Sequence, residues 1–129
     1  MVFLLSEMKI PIKIIVKLEG EANATHFDLK GIYYMRSDKE YNGCPVWKKE
    51  ASYEAEIWCD KNGTKWNIGT NSIILNERTS LIYSLENGPL ETNHWAYNNG
   101  SEFILSTDIT VESGKNVIVI LKSGLFMKI

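Results

Sequence analysis

Two cysteines and two histidines carry the most reactive side chains of this chain: Cys44, Cys59, His26 and His94. A cysteine nucleophile needs a histidine base within hydrogen-bond reach and a third group that orients the base. None of these four residues stands in a local sequence motif of that kind, and the strand pattern places Cys59 toward the core. A cysteine-dependent enzyme using Cys44 and His94 is therefore the third of three functional hypotheses, and we predict no catalytic residue.

Metal binding has equally little support in the sequence. Zinc ligands commonly come in pairs about two to five residues apart, and no two of the cysteines and histidines do. Asp60-x-Asn62-x-Thr64 resembles the start of a calcium loop, yet Lys65 stands where that loop needs glycine and Asn71 where it needs glutamate. No phosphate-binding glycine loop or dinucleotide fingerprint occurs either. We predict no metal and no cofactor.

Aromatic side chains offer the chemistry of binding, because rigid aromatics concentrate at recognition surfaces. The chain has four tryptophans and six tyrosines. One of Tyr33 and Tyr34 must point away from the core if their strand is regular, and Trp58 lies on the charged side of an alternating segment. Trp47 has no predicted orientation. We predict Tyr33, Tyr34, Trp47 and Trp58 as ligand-binding residues.

The charge balance argues against nucleic acid as a partner. The chain carries 14 basic and 16 acidic side chains, for a net charge of -2, and Lys48-Lys49 is its basic doublet. Nucleic-acid affinity comes largely from clustered lysine and arginine. No apolar run approaches the roughly 18 residues of a membrane-spanning helix. We predict neither a nucleic-acid nor a membrane partner.

Two cysteines allow at most one disulfide. We expect free thiols, because a single pair lacks the cysteine density of small secreted domains. Residues 22–24, Ala-Asn-Ala, fit a signal-peptide cleavage site, but Lys13 and Lys17 interrupt the preceding apolar segment and its alternation is that of a strand. We predict a cytoplasmic protein, with a secreted one as the alternative.

The elements that must position these side chains are short β-strands. Residues 12–18 alternate, with Lys13 and Lys17 on one face, and turn residues recur about every 8 to 12 positions along the chain. No segment of ten or more residues combines a helical period with caps. We predict one all-β domain over residues 1–129, an antiparallel β-sandwich or barrel of about ten short strands without a substantial helix.

Individual segments carry more detailed predictions. Asn62-Gly63 predicts a two-residue type I′ hairpin, which places Cys59 opposite Trp66. Asn42-Gly43 likewise closes a hairpin between two aromatic-rich strands. Further strands are expected at residues 2–5, 27–35 and 72–75, a polar connector at 20–25, and a central, covered strand at 117–121, where both faces are apolar.

A resemblance rests on four stretches within residues 25–112. They are Gly31-Ile32-Tyr33, Tyr41-Asn42-Gly43-x-Pro45-Val46-Trp47-x-Lys49, Trp66-x-Ile68 and Ile82-Tyr83-Ser84. This order resembles a small β module that recurs in protist, algal and animal multidomain proteins and has no established activity. The resemblance bears on the fold and carries no information about catalysis, and Cys44 stands where the module commonly has a basic residue. The flanking segments are expected to add strands that complete the sheet.

Three functions remain open at this point. The first is a non-enzymatic β module that binds another protein through an exposed patch around Tyr33 or Tyr34, Trp47 and Trp58. The alternative is a glycan-binding domain of a secreted or surface protein, since aromatic rings also form glycan platforms. The cysteine-dependent enzyme is the third.

Overall fold

The computed structural model describes residues 9–52, 54–114, 117–120 and 126–128. The strands are β1 Lys9–Pro11, β2 Lys13–Leu18, β3 Gly31–Tyr41, β4 Cys44–Lys49, β5 Ala55–Cys59, β6 Trp66–Ser72, β7 Glu77–Ser84, β8 Trp95–Asn98, β9 Phe103–Ser106, β10 Ile109–Ser113, β11 Val117–Ile120 and β12 Phe126–Lys128. One helix, α1, spans Gly20–His26, and short 3-10 turns span Phe27–Leu29 and Leu90–Thr92. The strand predicted at residues 2–5 lies outside the described residues.

Nine of the strands form one antiparallel sheet in the order β10-β2-β3-β4-β5-β6-β7-β8-β9. The sheet curls into a nearly closed, barrel-like shape, so the predicted all-β class is confirmed. Strands β9 and β10 are its two ends. A second sheet, β1-β11-β12, continues the β2–β10 ladder, because the Gly114 amide donates to the Lys13 carbonyl at 2.7 Å. Strand β11, Val117–Ile120, is the middle strand of that sheet, in keeping with the central position expected for it, while residue 121 lies outside the described residues.

The barrel interior is filled by alternate side chains of the strands, as a period of two requires. On β2, Ile14, Val16 and Leu18 are buried while Lys17 is exposed. The other large apolar members of the core include Leu29, Tyr33, Trp47, Ile57, Ile68, Ile82, Trp95, Tyr97, Ile109 and Val111. One contiguous core therefore holds the strands together.

Helix α1 corrects the prediction of a polar connector at residues 20–25. Ala22 and His26 stand four positions apart, lie on the same helix face, and are both buried. The His26 Nε2–H donates to the Asn98 carbonyl at 2.6 Å. Contact with the barrel thus stabilises a helix whose sequence has no capping side chain. Within the described residues, no helix is long and apolar enough to cross a membrane.

Two further segment boundaries differ from the prediction. The strand expected at residues 27–35 begins only at Gly31, because Phe27–Leu29 form a 3-10 turn. The strand expected at 72–75 ends at Ser72, and the chain turns over residues 73–76, where Asn76 has φ of 52°. Asparagine tolerates this left-handed backbone better than most residues, which explains the reversal there.

The two Asn-Gly turns differ from each other. Asn42 and Gly43 have φ of 55° and 82° and join the paired residues Tyr41 and Cys44, as in a type I′ hairpin. In the second turn Gly63 has φ of 70°, but the φ of Asn62 is not positive. A type I′ turn needs a positive φ at both positions, so the type I′ prediction is wrong.

A carboxylate organises this second turn instead. The Asp60 Oδ1 accepts the amides of Thr64 and Lys65 at 3.0 and 3.3 Å, which widens the loop. Burial alone would raise the pKa of Asp60, but these backbone amides donate to the carboxylate and lower it. The predicted pairing of Cys59 with Trp66 is nevertheless confirmed.

Cys44 and Cys59 form a disulfide, which corrects the expectation of free thiols. Cys44 begins β4 and Cys59 ends β5, and the antiparallel pairing of these neighbouring strands brings their Cα atoms to 6.2 Å. That separation lies within the ordinary range for a disulfide. Counting cysteines per chain length could not reveal this cross-strand proximity.

Candidate functional site

Two of the four predicted binding residues lie in the barrel interior. Tyr33 is fully buried, and its hydroxyl donates to the Leu29 carbonyl at 2.6 Å. Burial, together with the negative charge of Asp28, raises the pKa of that hydroxyl. Trp47 is equally buried, and its Nε1–H donates to the Pro11 carbonyl at 2.8 Å. The exposed position expected for Trp47 is therefore a wrong prediction, and Tyr33 is the inward-facing member of the tyrosine pair.

The other two predicted residues lie on the outer face of the barrel. Tyr34 is 41% exposed and is the outward member of the tyrosine pair. Trp58 also points outward but is only 5% exposed, and the Arg78 guanidinium carbon lies 5.8 Å from its ring centre. Trp58 is thus not the surface residue that the alternation predicts. A ligand-binding role for Tyr34 stays a prediction.

Next to these two residues, the outer face contains a cavity of about 190 Å³. We call it the basic pocket. Its lining consists of Arg36, Lys39, Val46, Lys48, Glu56, Asn71, Ile73 and Arg78. The strand register explains the assembly: Tyr34 pairs with Lys48, Lys48 with Glu56, and Glu56 with Gly69, so these positions form one row across β3 to β6. Paired residues share a face of the sheet, which places their side chains side by side.

Two carboxylates partly neutralise the four cations of the basic pocket. Glu56 is buried and accepts from the Arg78 Nη2 at 3.2 Å and from the Asn71 amide at 3.3 Å. At the rim, Asp38 lies 3.4 Å from the Arg36 Nε. The Asp38 backbone amide, followed by the charges of Arg36 and Lys39, lowers the pKa of that carboxyl against the effect of desolvation. Both arginines of the basic pocket therefore have a carboxylate as a partner.

An exposed apolar turn adjoins the basic pocket. It consists of Ile73, Ile74 and Leu75, and we call it the apolar tip. These side chains are 67%, 90% and 67% exposed, respectively. The Ser72 hydroxyl accepts the Leu75 amide at 3.1 Å, which fixes the turn. Turn positions normally hold glycine, asparagine, aspartate, serine or proline, so three consecutive apolar residues there are unusual.

A larger cleft of about 530 Å³ runs along β2, β3 and β10. Its charged lining includes Lys17, Glu19, Lys30 and Glu112. The Lys17 Nζ is 3.0 Å from a Glu112 carboxylate oxygen, so opposite charges within the cleft already satisfy each other. This cleft has no concentration of one charge and no aromatic lining, and we do not regard it as the candidate site.

The chemistry required of a cysteine enzyme is not assembled in the described structure. Both thiols are consumed by the disulfide, so neither Cys44 nor Cys59 provides a thiolate while that bond is intact. His94 is exposed and its Nδ1 lies 2.7 Å from a Glu86 carboxylate oxygen. Among the described residues no group of three or more histidine, cysteine or acidic side chains could hold a metal.

Comparison with known proteins gives no match: no family model, no curated protein and no solved structure is similar to this chain at a significant level. The resemblance to a recurring β module thus stays a prediction.

Sequence reasoning missed the basic pocket and the apolar tip for different reasons. Arg36, Lys48 and Arg78 are far apart in the sequence and meet only through the strand register. The apolar tip is contiguous, and its run of three apolar residues breaks the alternation expected of a half-buried strand. Asn76 directly after it was the local sign of a turn.

Proposed function

We propose that this chain is a non-enzymatic protein-interaction domain whose contact with its partner is centred on the apolar tip. The observation that carries this proposal is the exposure of Ile73, Ile74 and Leu75 at the end of the β6–β7 hairpin. Burying one such side chain in an interface contributes roughly 1.5–3 kcal/mol. Three adjacent side chains on a fixed turn supply an apolar centre of the kind that dominates binding energy.

The surroundings of the tip favour a protein over a lipid surface. Glu54 and Glu77 are exposed beside it, whereas the cations of the basic pocket lie on its other side. A polar rim with charges of both signs around an apolar centre is typical of protein interfaces.

A glycan-binding function receives less support from the described side chains. Trp47, Trp58 and Trp95 are buried, and Trp66 is half-buried with its Nε1–H donated to the Gly88 carbonyl at 3.0 Å. No tryptophan is therefore free to stack on a sugar. The partner most in keeping with the surface is a protein.

The disulfide supports the alternative location, a secreted protein, over the cytoplasmic location predicted from the cysteine count. Disulfides persist in oxidising compartments and are rare in the cytosol. Thiol-blocking of the source material before lysis, followed by mass spectrometry of the peptides around Cys44 and Cys59, tests this. A blocked, reduced pair would contradict it.

The apolar tip is tested by the triple substitution I73S/I74S/L75S. The matched control is F27S/L105S, because Phe27 and Leu105 are each 65% exposed at other places on the surface. In the source cell, wild type and both variants are each fused to the same proximity-labelling enzyme. One or more proteins should be labelled by the wild type and by the control variant but not by the tip variant. Each is then purified, and its affinity for the three forms is measured.

Two results would overturn the proposal. One is a set of labelled proteins that is the same for the tip variant and the control. The other is tip-dependent sedimentation with phosphatidylserine-containing vesicles, which would indicate a membrane contact instead. Circular dichroism and thermal unfolding of the variants establish that they remain folded.

A further inference from the structure

Two exposed turns of the barrel carry the acceptor sequence for N-linked glycosylation, which is asparagine, any residue except proline, then serine or threonine. They are Asn62-Gly63-Thr64 between β5 and β6, and Asn99-Gly100-Ser101 between β8 and β9. A third such sequence begins at Asn23 within α1. The three asparagines have different surroundings, so the structure separates turns with room for a glycan from a position without it.

The Asn62 side chain is free to carry a substituent. It is exposed, and it has no hydrogen-bond partner in the part of the chain that the structure describes. The loop keeps its shape through a different residue, because the Asp60 Oδ1 accepts the amides of Thr64 and Lys65. A sugar on the Asn62 carboxamide would therefore break none of the hydrogen bonds that hold the loop.

Asn99 uses its side-chain oxygen in the turn and leaves its nitrogen unused. The oxygen Oδ1 accepts the backbone amides of Ser101 at 2.9 Å and Glu102 at 3.0 Å. These two donors identify the atom as the oxygen of the carboxamide. The nitrogen Nδ2, to which an N-linked glycan is attached, has no partner among the described residues. The turn can thus keep both hydrogen bonds after glycosylation.

Asn23 is placed differently. It is half-buried in α1, and its Oδ1 is fully buried without a hydrogen-bond partner in the described structure. Ala22 and His26 of the same helix are buried. A sugar on the Asn23 carboxamide would have to separate α1 from the neighbouring residues, whereas a glycan on an exposed turn extends into solvent.

We propose that Asn62 and Asn99 are N-glycosylated and that Asn23 is not. The inference rests on the secreted location proposed above, and it does not involve the apolar tip. The donor is a lipid-linked oligosaccharide diphosphate of the host cell. Nδ2 forms a bond to the anomeric carbon of the first sugar, the bond from that carbon to the diphosphate oxygen breaks, the amide loses one proton, and the lipid diphosphate leaves.

The test uses the protein isolated from its source. Treatment with a peptide-N-glycosidase in water labelled with heavy oxygen converts a glycosylated asparagine to labelled aspartate, which mass spectrometry of chymotryptic peptides detects. Asn62 and Asn99 should become labelled, and Asn23 should not. A sample incubated in the same water without the glycosidase gives the background, because Asn-Gly sequences also hydrolyse spontaneously.

Substitutions in the source cell test the sites one at a time. T64A and S101A each remove the hydroxyl that the acceptor sequence requires and keep the asparagine. Each should lose the glycan from its own turn only, and the other turn of the same molecule reports that the variant was folded and exported. T107A is the matched control, because Thr107 is exposed and belongs to no acceptor sequence, and it should keep both glycans.

An unmodified Asn62 or Asn99 in protein whose Cys44–Cys59 bond is intact would overturn the inference while the secreted location stands. Reduced cysteines together with unmodified turns would overturn both. Equal labelling of Asn23 would also contradict the inference, because exposure would then not select the sites. So would a glycan that persists in T64A and S101A.

Discussion

Tyr33 shows how a single side chain can connect two elements through the core. Its ring packs in the barrel interior, and its hydroxyl donates to Leu29, the last residue of the 3-10 turn after α1. The bond satisfies a carbonyl that would otherwise be buried without a partner, which is costly. Tyr33 thereby holds the 3-10 turn that follows α1 against β3.

We expect Y33F to lower the free energy of unfolding by about 1 kcal/mol at neutral pH, because one buried hydrogen bond is lost while the ring is kept. Burial raises the pKa of Tyr33 in the folded state. Above about pH 10 an unfolded tyrosine releases its proton while folded Tyr33 retains it. The protonated Tyr33 hydroxyl therefore contributes fully to the free energy of unfolding below about pH 10. This contribution is lost as the pH rises further.

The Y33F deficit should accordingly stay constant up to about pH 10 and shrink as the pH rises above it. Urea unfolding of both forms at several pH values measures it. Y34F is the matched control, because Tyr34 is largely exposed and its substitution should leave stability nearly unchanged. A deficit that also stays constant above about pH 10 would contradict a raised pKa of Tyr33.

At the scale of the element, the disulfide connects two hairpins at the same end of the barrel. Cys44 directly follows the Asn42-Gly43 turn, and Cys59 directly precedes the loop that Asp60 organises. The Asn42 side-chain amide also donates to the Cys59 carbonyl at 2.9 Å. The two turns are therefore fixed to each other both covalently and by a hydrogen bond.

Reduction of the disulfide should lower the free energy of unfolding by about 3 kcal/mol, the amount expected for a closed loop of this length, since 15 positions separate the cysteines. Chemical denaturation of the oxidised and reduced wild type measures the difference, and C44A/C59A should resemble the reduced form. Wild type and reduced protein of equal stability would contradict the expectation, as would two reactive thiols in the native, unreduced chain.

The elements themselves were predicted unevenly. The pairing of Cys59 with Trp66 follows from counting outward from an Asn-Gly turn, and it holds even though the turn is wider than predicted. The helix Gly20–His26 was missed because its stability depends on contacts with the barrel, which local sequence does not encode. The apolar run at residues 73–75 predicts a strand by composition, and it outweighs the turn signal of Asn76, which follows it directly.

At the scale of the whole molecule, the barrel has a seam between β9 and β10, which do not pair within the described residues. The 3-10 turn Leu90–Thr92 lies against β10, where the Ser113 hydroxyl donates to the Glu91 carboxylate. A sheet with two ends offers unpaired backbone groups at each of them. The seam is thus the place where the ring of strands lacks backbone pairing within the described residues.

Native-state hydrogen exchange should reflect this arrangement. Amides of Ile57, Ile68 and Ile82 lie on central strands and should exchange only with global unfolding, whereas those of β9 should exchange through local opening. Exchange as a function of low denaturant concentration, read by NMR, distinguishes the two. Uniform protection of β9 and the central strands would contradict an open seam.

The class of fold follows from the sequence, because the alternation of residues 12–18 and the frequent turn residues leave little room for helices. The order and closure of the strands do not follow, since they depend on long-range pairing such as that of β2 with β10. The candidate site depends on the same pairing. Arg36, Lys48 and Arg78 become neighbours only when β3 to β7 are aligned.

The antiparallel pairing of β1 with β11 has a consequence for protein engineering. Lys9 stands opposite Val119, so the chain enters and leaves the barrel at adjacent points. A domain whose two connecting strands lie side by side can be inserted into a surface loop of a host protein without moving the two ends of that loop apart. The barrel should therefore serve as an insertable cassette that displays the β6–β7 turn away from its scaffold.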